Sequence, residues 1–264
     1  MQNSIDNNYW DGIIKSQQSY IQDDLWRANL KLIYQELING YGLIALKTDL
    51  YDEASSEYNI LSLLSKCFKH VIGMDYSFAI AEHARQRLNN EKEVSPYAVL
   101  VSDIRNASFK DDSFDCIISN STLDHFLCRE EIITSIRELY RILKPQGELI
   151  ITLDNPWNPV VRLRNALPYG MLKLIGIIPF YMGVTLSNDD LLRVLDKQGF
   201  KIKQSSFIVH CPRFLGIWIG FLVAMLGNKV ANRCFIKLIN SFEYLQKTPL
   251  RSLTGYFVCV KATK

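Results

Sequence analysis

The chain is 264 residues long, 48% hydrophobic and 22% charged, with a formal net charge of +3. That is enough to bury a substantial core, most simply as one domain over 1–264. The mild, dispersed charge speaks against phosphate-driven nucleic-acid binding, and six cysteines without a Cys-x-x-Cys pair speak against a metal site.

The N-terminus, MQNSIDNNYW, is polar and lacks a signal-peptide pattern, so a cytoplasmic setting with reduced thiols is expected. Gln22 to Ile38 predicts a helix, with Leu25, Ala28 and Leu32 at helical spacing and Asn39-Gly40 as its stop. Gly42 to Lys47 predicts a strand and Ala54 to Cys67 a helix. His70 to Met74 is the next strand and Phe78 to Leu88 the next helix. Strands follow over Tyr97–Val101 and Phe114–Ser119, then an amphipathic helix over Glu130–Leu143, closed by Lys144-Pro145-Gln146-Gly147. Glu148–Leu153 is a fifth strand. Strands alternating with helices predict a parallel sheet with right-handed crossovers, whose ligands bind beyond the carboxyl ends of the strands.

The C-terminal third is less regular. Four prolines interrupt Asn155–Thr185. A helix is expected over Asn188–Gln198, begun by Ser187 and ended by Gly199, then a strand over Lys201–His210. Two helical stretches, Phe214–Leu226 and Asn228–Leu245, precede a last strand over Ser252–Lys261. The apolar runs Met171–Leu186 and Phe214–Leu226 read as buried or interfacial. The first is broken by Lys173 and Pro179, and the second is shorter than the roughly 18–20 residues of a membrane span.

Three segments carry chemistry. In KHVIGMD a strand ends in one carboxylate, Asp75, with a helix beginning at once. A strand-end carboxylate suits the paired hydroxyls of a ribose; it also suits an N-cap, a role Ser77 can fill by itself. The other two segments are LVSDIRNASFKDDSFDCIISNSTLDHF (Leu100–Phe126) and ELYRILKPQGELIIT (Glu138–Thr152). In this order and spacing, over roughly Leu43 to Phe200 and the final strand, the chain resembles the class I S-adenosylmethionine-dependent methyltransferases. The resemblance implies an α/β fold: a seven-stranded, mostly parallel Rossmann-like sheet with helices on both faces. To that fold the chain adds helical inserts after strand 5 and between strands 6 and 7, where the family often has only a short hairpin turn. The resemblance also implies S-adenosyl-L-methionine as cofactor. Asp75 and Tyr76 would hold the ribose, Asp103 and Ile104 the adenine, and Asn120 would lie under the methionine part.

One departure stands out. The family's glycine-rich loop after the first strand is here ALKTDLYDEAS (Ala45–Ser55), without a glycine. Lys47 and Asp49 then either hold the carboxylate and ammonium of the cofactor or form an ordinary ion pair, with cofactor binding weakened or lost. His125, just after the fourth strand, is either a general base or a helix-start residue. The inserts 155–185 and 212–251 are either an apolar cap over a small apolar or aromatic acceptor, lipid- or quinone-like, or a secondary core or homodimer contact. Two other roles stay open: a catalytically silent binding protein of this fold, and a protein held peripherally at a membrane surface.

Overall fold

The computed structural model describes residues 24–38, 40–56, 60–90, 97–168, 170–171 and 183–264. Seven strands form one sheet in the order β3-β2-β1-β4-β5-β7-β6. They are β1 (Gly42–Lys47), β2 (Phe68–Asp75), β3 (Tyr97–Val101), β4 (Phe114–Asn120), β5 (Leu143–Asp154), β6 (Lys201–Ile208) and β7 (Phe257–Thr263). Only β7 runs against its neighbours. The chain moves outward from β1 through β2 to β3, then crosses back to β4. The switch point, and the crevice it opens, therefore lies between the carboxyl ends of β1 and β4.

Alternating side chains send the sheet's apolar residues into two cores. On one face Ala45, Val71, Cys116 and Ile150 meet α1 (Asp24–Leu37), α2 (Tyr51–Ser55), α3 (Leu61–Leu64) and α4 (Phe78–Asn90). On the other, Leu46, Ile117, Leu149 and Val260 meet α5 (Arg129–Ile142) and α7 (Asn188–Gln198). Ile132, Ile136, Leu139 and Ile142 give α5 one fully buried stripe, the spacing a helix needs to cover a sheet. The remaining helices are α6 (Pro159–Ala166), α8 (Arg213–Met225), α9 (Lys229–Ser241) and α10 (Arg251–Thr254).

Several boundaries differ from the sequence expectation, and four of them have a plain physical reason. The expected helix Ala54–Cys67 is two helices, α2 and α3. The Glu53 carboxylate accepts from the backbone N–H groups of Ile60 and Leu61, so the chain turns around it. The last strand begins at Phe257, not Ser252. The amides of Asn155 and Asn158 donate to the carbonyls of Ser252, Leu253, Thr254 and Gly255 and hold that stretch as the turn α10. β6 stops at Ile208 because Val209 has a positive φ of 62° and passes its N–H, like that of His210, to Glu243. β5 extends back to Leu143, taking in the expected Lys-Pro-Gln-Gly stop through a register shift against β4. The ends of helices α7 and α5 fall near expectation, and Ser187 caps α7 while Gly199 ends it in the left-handed region. Asn39 and residues 172–182, which hold much of the first apolar run, lie outside the described residues.

The second insert does not stand alone. α8 lies on α1 through two buried glycines: a Cβ on Gly216 would come within 2.4 Å of the Trp26 ring. On Gly220 it would meet Phe235 of α9 at 3.0 Å and Leu25 at 3.6 Å.

Candidate functional site

The crevice has a built-in notch. Lys47, the last residue of β1, pairs with Gly73 on one side and Ile118 on the other. β2 and β4 each continue two residues further, to Asp75 and Asn120. Into this step folds the glycine-free loop. Leu50 is fully buried, lying so close to Gly73 that a Cβ there would sit 2.4 Å from its Cδ2. The close approach of the loop therefore falls on a glycine in the strand beneath it.

Lys47 and Glu53 are both fully buried and paired at 2.7 Å. The Lys47 Nζ also donates to the Asp49 carbonyl and lies 3.5 Å from its carboxylate. Burial by itself lowers the Lys47 pKa, but Glu53, then Asp49 and Asp52, outweigh it and keep the amine charged. The ammonium of Lys47 is thus enclosed by this chain's own acids, which leaves it no open approach for a cofactor carboxylate. The part-exposed carboxyl of Asp49 faces the crevice, lifted to about 6 by burial and, against the pull of Lys47, by Asp52 and Glu53.

Asp75 is held differently. Its two oxygens accept from the backbone N–H groups of Ser77 (2.8 Å) and Leu50 (2.9 Å). Burial, then the charge of Asp49, raises it to about 7 against these amides. Ser77 caps α4 by accepting from the Ile80 N–H, so Asp75 is spared that duty. Each carboxylate oxygen keeps a second lone pair.

At the far end of the crevice Asp103 and Tyr76 come together, joined by Arg105. The carboxylate of Asp103 takes Arg105 Nε through both oxygens (3.0 Å each) and Nη2 at 2.7 Å, and caps the turn at Ile104–Asn106. Arg105 also pairs with Glu131 and lies over the rings of Tyr76 (5.7 Å) and Phe126 (5.1 Å). An adenine amine would have to share Asp103 with this guanidinium. Ile104 is buried in the second core.

Asn120 is locked by a neighbouring strand and by α1. Its Oδ1 accepts from the Tyr34 hydroxyl and from Thr152, and its Nδ2 lies 3.5 Å from Asp52. Asp52 pairs with Arg27. Arg27 and Tyr34 both ride on α1, two turns apart on one face, and burial pushes the Tyr34 phenol well above its ordinary range. His125 ends a single turn after β4, its Nε2 4.0 Å from Asp124 Oδ1. Asp124 Oδ2 accepts from Ser121 Oγ and the Asp154 N–H, while Cys128 occupies the cap of α5. Asp154, lifted to about 6 by burial and then Asp124, pairs with Arg164 of α6 at 2.6 Å. The first insert returns over this end: Gly183 donates to the Asp124 carbonyl and Val184 to that of Phe126. His210 lies apart, buried between Thr254 and the Phe207 carbonyl. Among the described residues no cluster of His, Cys, Asp or Glu could hold a metal ion.

The donor set fits a cationic nucleoside. Among the described residues Asp49, Asp52, Glu53 and Asp75 gather around Lys47 and Arg27, so acidic side chains outnumber basic ones in the notch. Asp75 offers paired acceptors at its rim.

Residues 54–151 match the family described as "Methyltransferase domain". Over 82 residues the chain is 38% identical to the "Probable tRNA methyltransferase 9B" of Mus musculus, covering 31% of this chain and 17% of that protein. Over 128 residues it is 30% identical to the carboxy-S-adenosyl-L-methionine synthase of Glaesserella parasuis, covering 45% and 52%. The chain thus spans about half or less of these relatives' lengths, and their names do not agree on an acceptor. Among solved structures, geranyl diphosphate C-methyltransferase from Streptomyces coelicolor superposes with a TM-score of 0.57 at 15% identity, covering 89% of this chain and 77% of that one.

Proposed function

We propose that this chain, a class I S-adenosylmethionine-dependent methyltransferase by fold and domain, transfers a methyl group to a small apolar or aromatic acceptor. The observation that carries the cofactor assignment is Asp75. A buried carboxylate hydrogen-bonded by two backbone amides, with Lys47 near it but in no direct ion pair with it, suits a neutral diol. Asp49 suits the cationic amino-acid end. Lys47 does not suit its carboxylate, and Arg27, delivered over the loop by α1, takes that place. Asn120, fixed by Tyr34 and Thr152, forms the floor between the two ends.

When bound, S-adenosylmethionine supplies a methyl group on a sulfonium: an acceptor lone pair forms the new bond to carbon while the carbon–sulfur pair returns to sulfur. The protein's part is to align the acceptor and exclude water. His125, set against Asp124 and roofed by the Gly183–Thr185 strap, takes the proton when the acceptor must lose one. The apolar composition of the first insert's sequence is the support for an apolar acceptor.

Calorimetry with S-adenosylhomocysteine tests the cofactor, and incubation with deuteromethyl-labelled S-adenosylmethionine and a panel of phenols and quinols tests the acceptor. Binding with label transfer supports the whole assignment. No binding at millimolar ligand overturns it and leaves a cofactor-free scaffold, the reading that the closed Lys47–Glu53 loop otherwise favours.

A further inference from the structure

We propose that the α8–α9 hairpin seats the protein on an anionic lipid bilayer, with α8 lying in the plane of the membrane surface. This does not depend on the methyl-transfer assignment.

α8 is two-sided by construction. Gly216 and Gly220 let it press against α1 and α9, so its inner face is spent. Phe214, Leu215, Trp218, Ile219, Leu222 and Met225 recur at helical spacing on the other side and are all exposed, Trp218 by 60% and Met225 by 70%. So contiguous an apolar face is unusual for a surface that meets only water. α9 also packs on α1, through Phe235 and Ile239, and turns Lys229, Arg233 and Lys237 outward at intervals of one helical turn. From Arg213 to Phe242 there is no Asp or Glu.

Charge decides between occupants. A second copy docked through this face about a two-fold axis would set these cations against their own equivalents, with no acid in either hairpin to offset them. An anionic lipid surface offers the opposite sign over the whole area. An interfacial helix with an apolar face, a tryptophan and flanking cations is the pattern for shallow insertion at the headgroup boundary. Spanning is excluded by length: thirteen residues rise about 20 Å against roughly 30 Å of hydrocarbon. No helix among the described residues is long and apolar enough to cross a membrane.

Flotation of the full chain with vesicles tests the proposal. Co-flotation is expected with phosphatidylcholine–phosphatidylserine vesicles, weaker with phosphatidylcholine alone and weaker at high salt. Arg233→Glu with Lys237→Glu should cut binding by at least about fivefold per charge. Trp218→Ser with Leu222→Ser should abolish it. Both pairs are exposed, so thermal unfolding should match the wild type. Brominated lipid should quench the fluorescence of wild-type protein more than that of Trp218→Phe. Wild-type protein that fails to float with either vesicle overturns the proposal, as does flotation indifferent to the Trp218 and Leu222 changes. A dimer in light scattering that those changes dissociate assigns the face to a second copy and also overturns it.

Discussion

The loop after β1 and the turn after β2 lie side by side at the carboxyl edge of the sheet, yet they bury charge in opposite ways. Lys47 and Glu53 cancel each other in the interior, and Glu53 spends its second oxygen on the backbone of α3. Asp75, next door, accepts from two amide protons without a direct ion pair, and burial lifts it to about 7 against the pull of these amides and Lys47. A charge that is already cancelled holds a loop in shape. A carboxylate without a direct ion pair is the one that gains when a ligand brings donors.

Breaking the cancelled pair should have the largest effect. Lys47→Met strands the Glu53 carboxylate and should cost about 3–5 kcal/mol of stability in denaturant unfolding. Adding Glu53→Gln, which keeps an acceptor for Ile60 and Leu61, should recover much of that loss. A double variant as unstable as the single would mean that Lys47 acts through packing alone.

Asp75→Ala should leave the fold standing and weaken S-adenosylhomocysteine binding by about 1.5–3 kcal/mol, the scale of lost hydrogen bonds to a charged group. Calorimetry reads this directly, and an unchanged affinity in the folded variant removes the ribose assignment.

Proton linkage sharpens the same contrast. The ligand's hydroxyls donate to the ionised carboxyl, so binding favours the charged form. Affinity should be level above about pH 7 and fall as pH drops through it, by up to about tenfold per unit. Asp49, at about 6, acts in the same direction through the ligand's ammonium, so the slope should steepen below that. Titrations in buffers of different ionisation enthalpy would reveal proton release; affinity flat from pH 8 to 5 would deny Asp75 a role.

Asn29 is a third case, a buried polar group without a hydrogen-bond partner among the described residues. It is fully buried on α1, and neither atom of its amide makes a hydrogen bond. Asn29→Leu, close in volume, should therefore raise stability by about 1 kcal/mol. A loss instead would place an ordered water at that amide.

The positions of the seven strands were legible in the sequence because each carries its own apolar run. Asp75 stood out as the polar end of one of them, and the family resemblance added Asp103 and Asn120. What the sequence did not show is what reaches them from elsewhere. Arg27 and Tyr34 sit in an ordinary amphipathic helix, and nothing local marks them as facing Asp52 and Asn120. Arg164 looks like any helical arginine until β5 brings Asp154 to it. Arg105, two residues after Asp103 in DIRN, was the one with a local signal, since a carboxylate at a turn's cap readily takes a guanidinium two residues on. The expected ion pair of Lys47 with Asp49 is present at 3.5 Å, but Glu53, at 2.7 Å, had no local signal because it reaches Lys47 only once the loop folds into the notch.

α1 has a working surface on each side. One side presses Trp26 against Gly216 of the hairpin; the other carries Arg27 and Tyr34 to the crevice. The helix is a spacer whose thickness is set at one face and read out at the other. A single methyl group at Gly216, on a residue that touches no ligand, would displace the Trp26 ring and carry the error through to the Tyr34 hydroxyl. Dimensional accuracy at the crevice is inherited from a surface that never meets the cofactor.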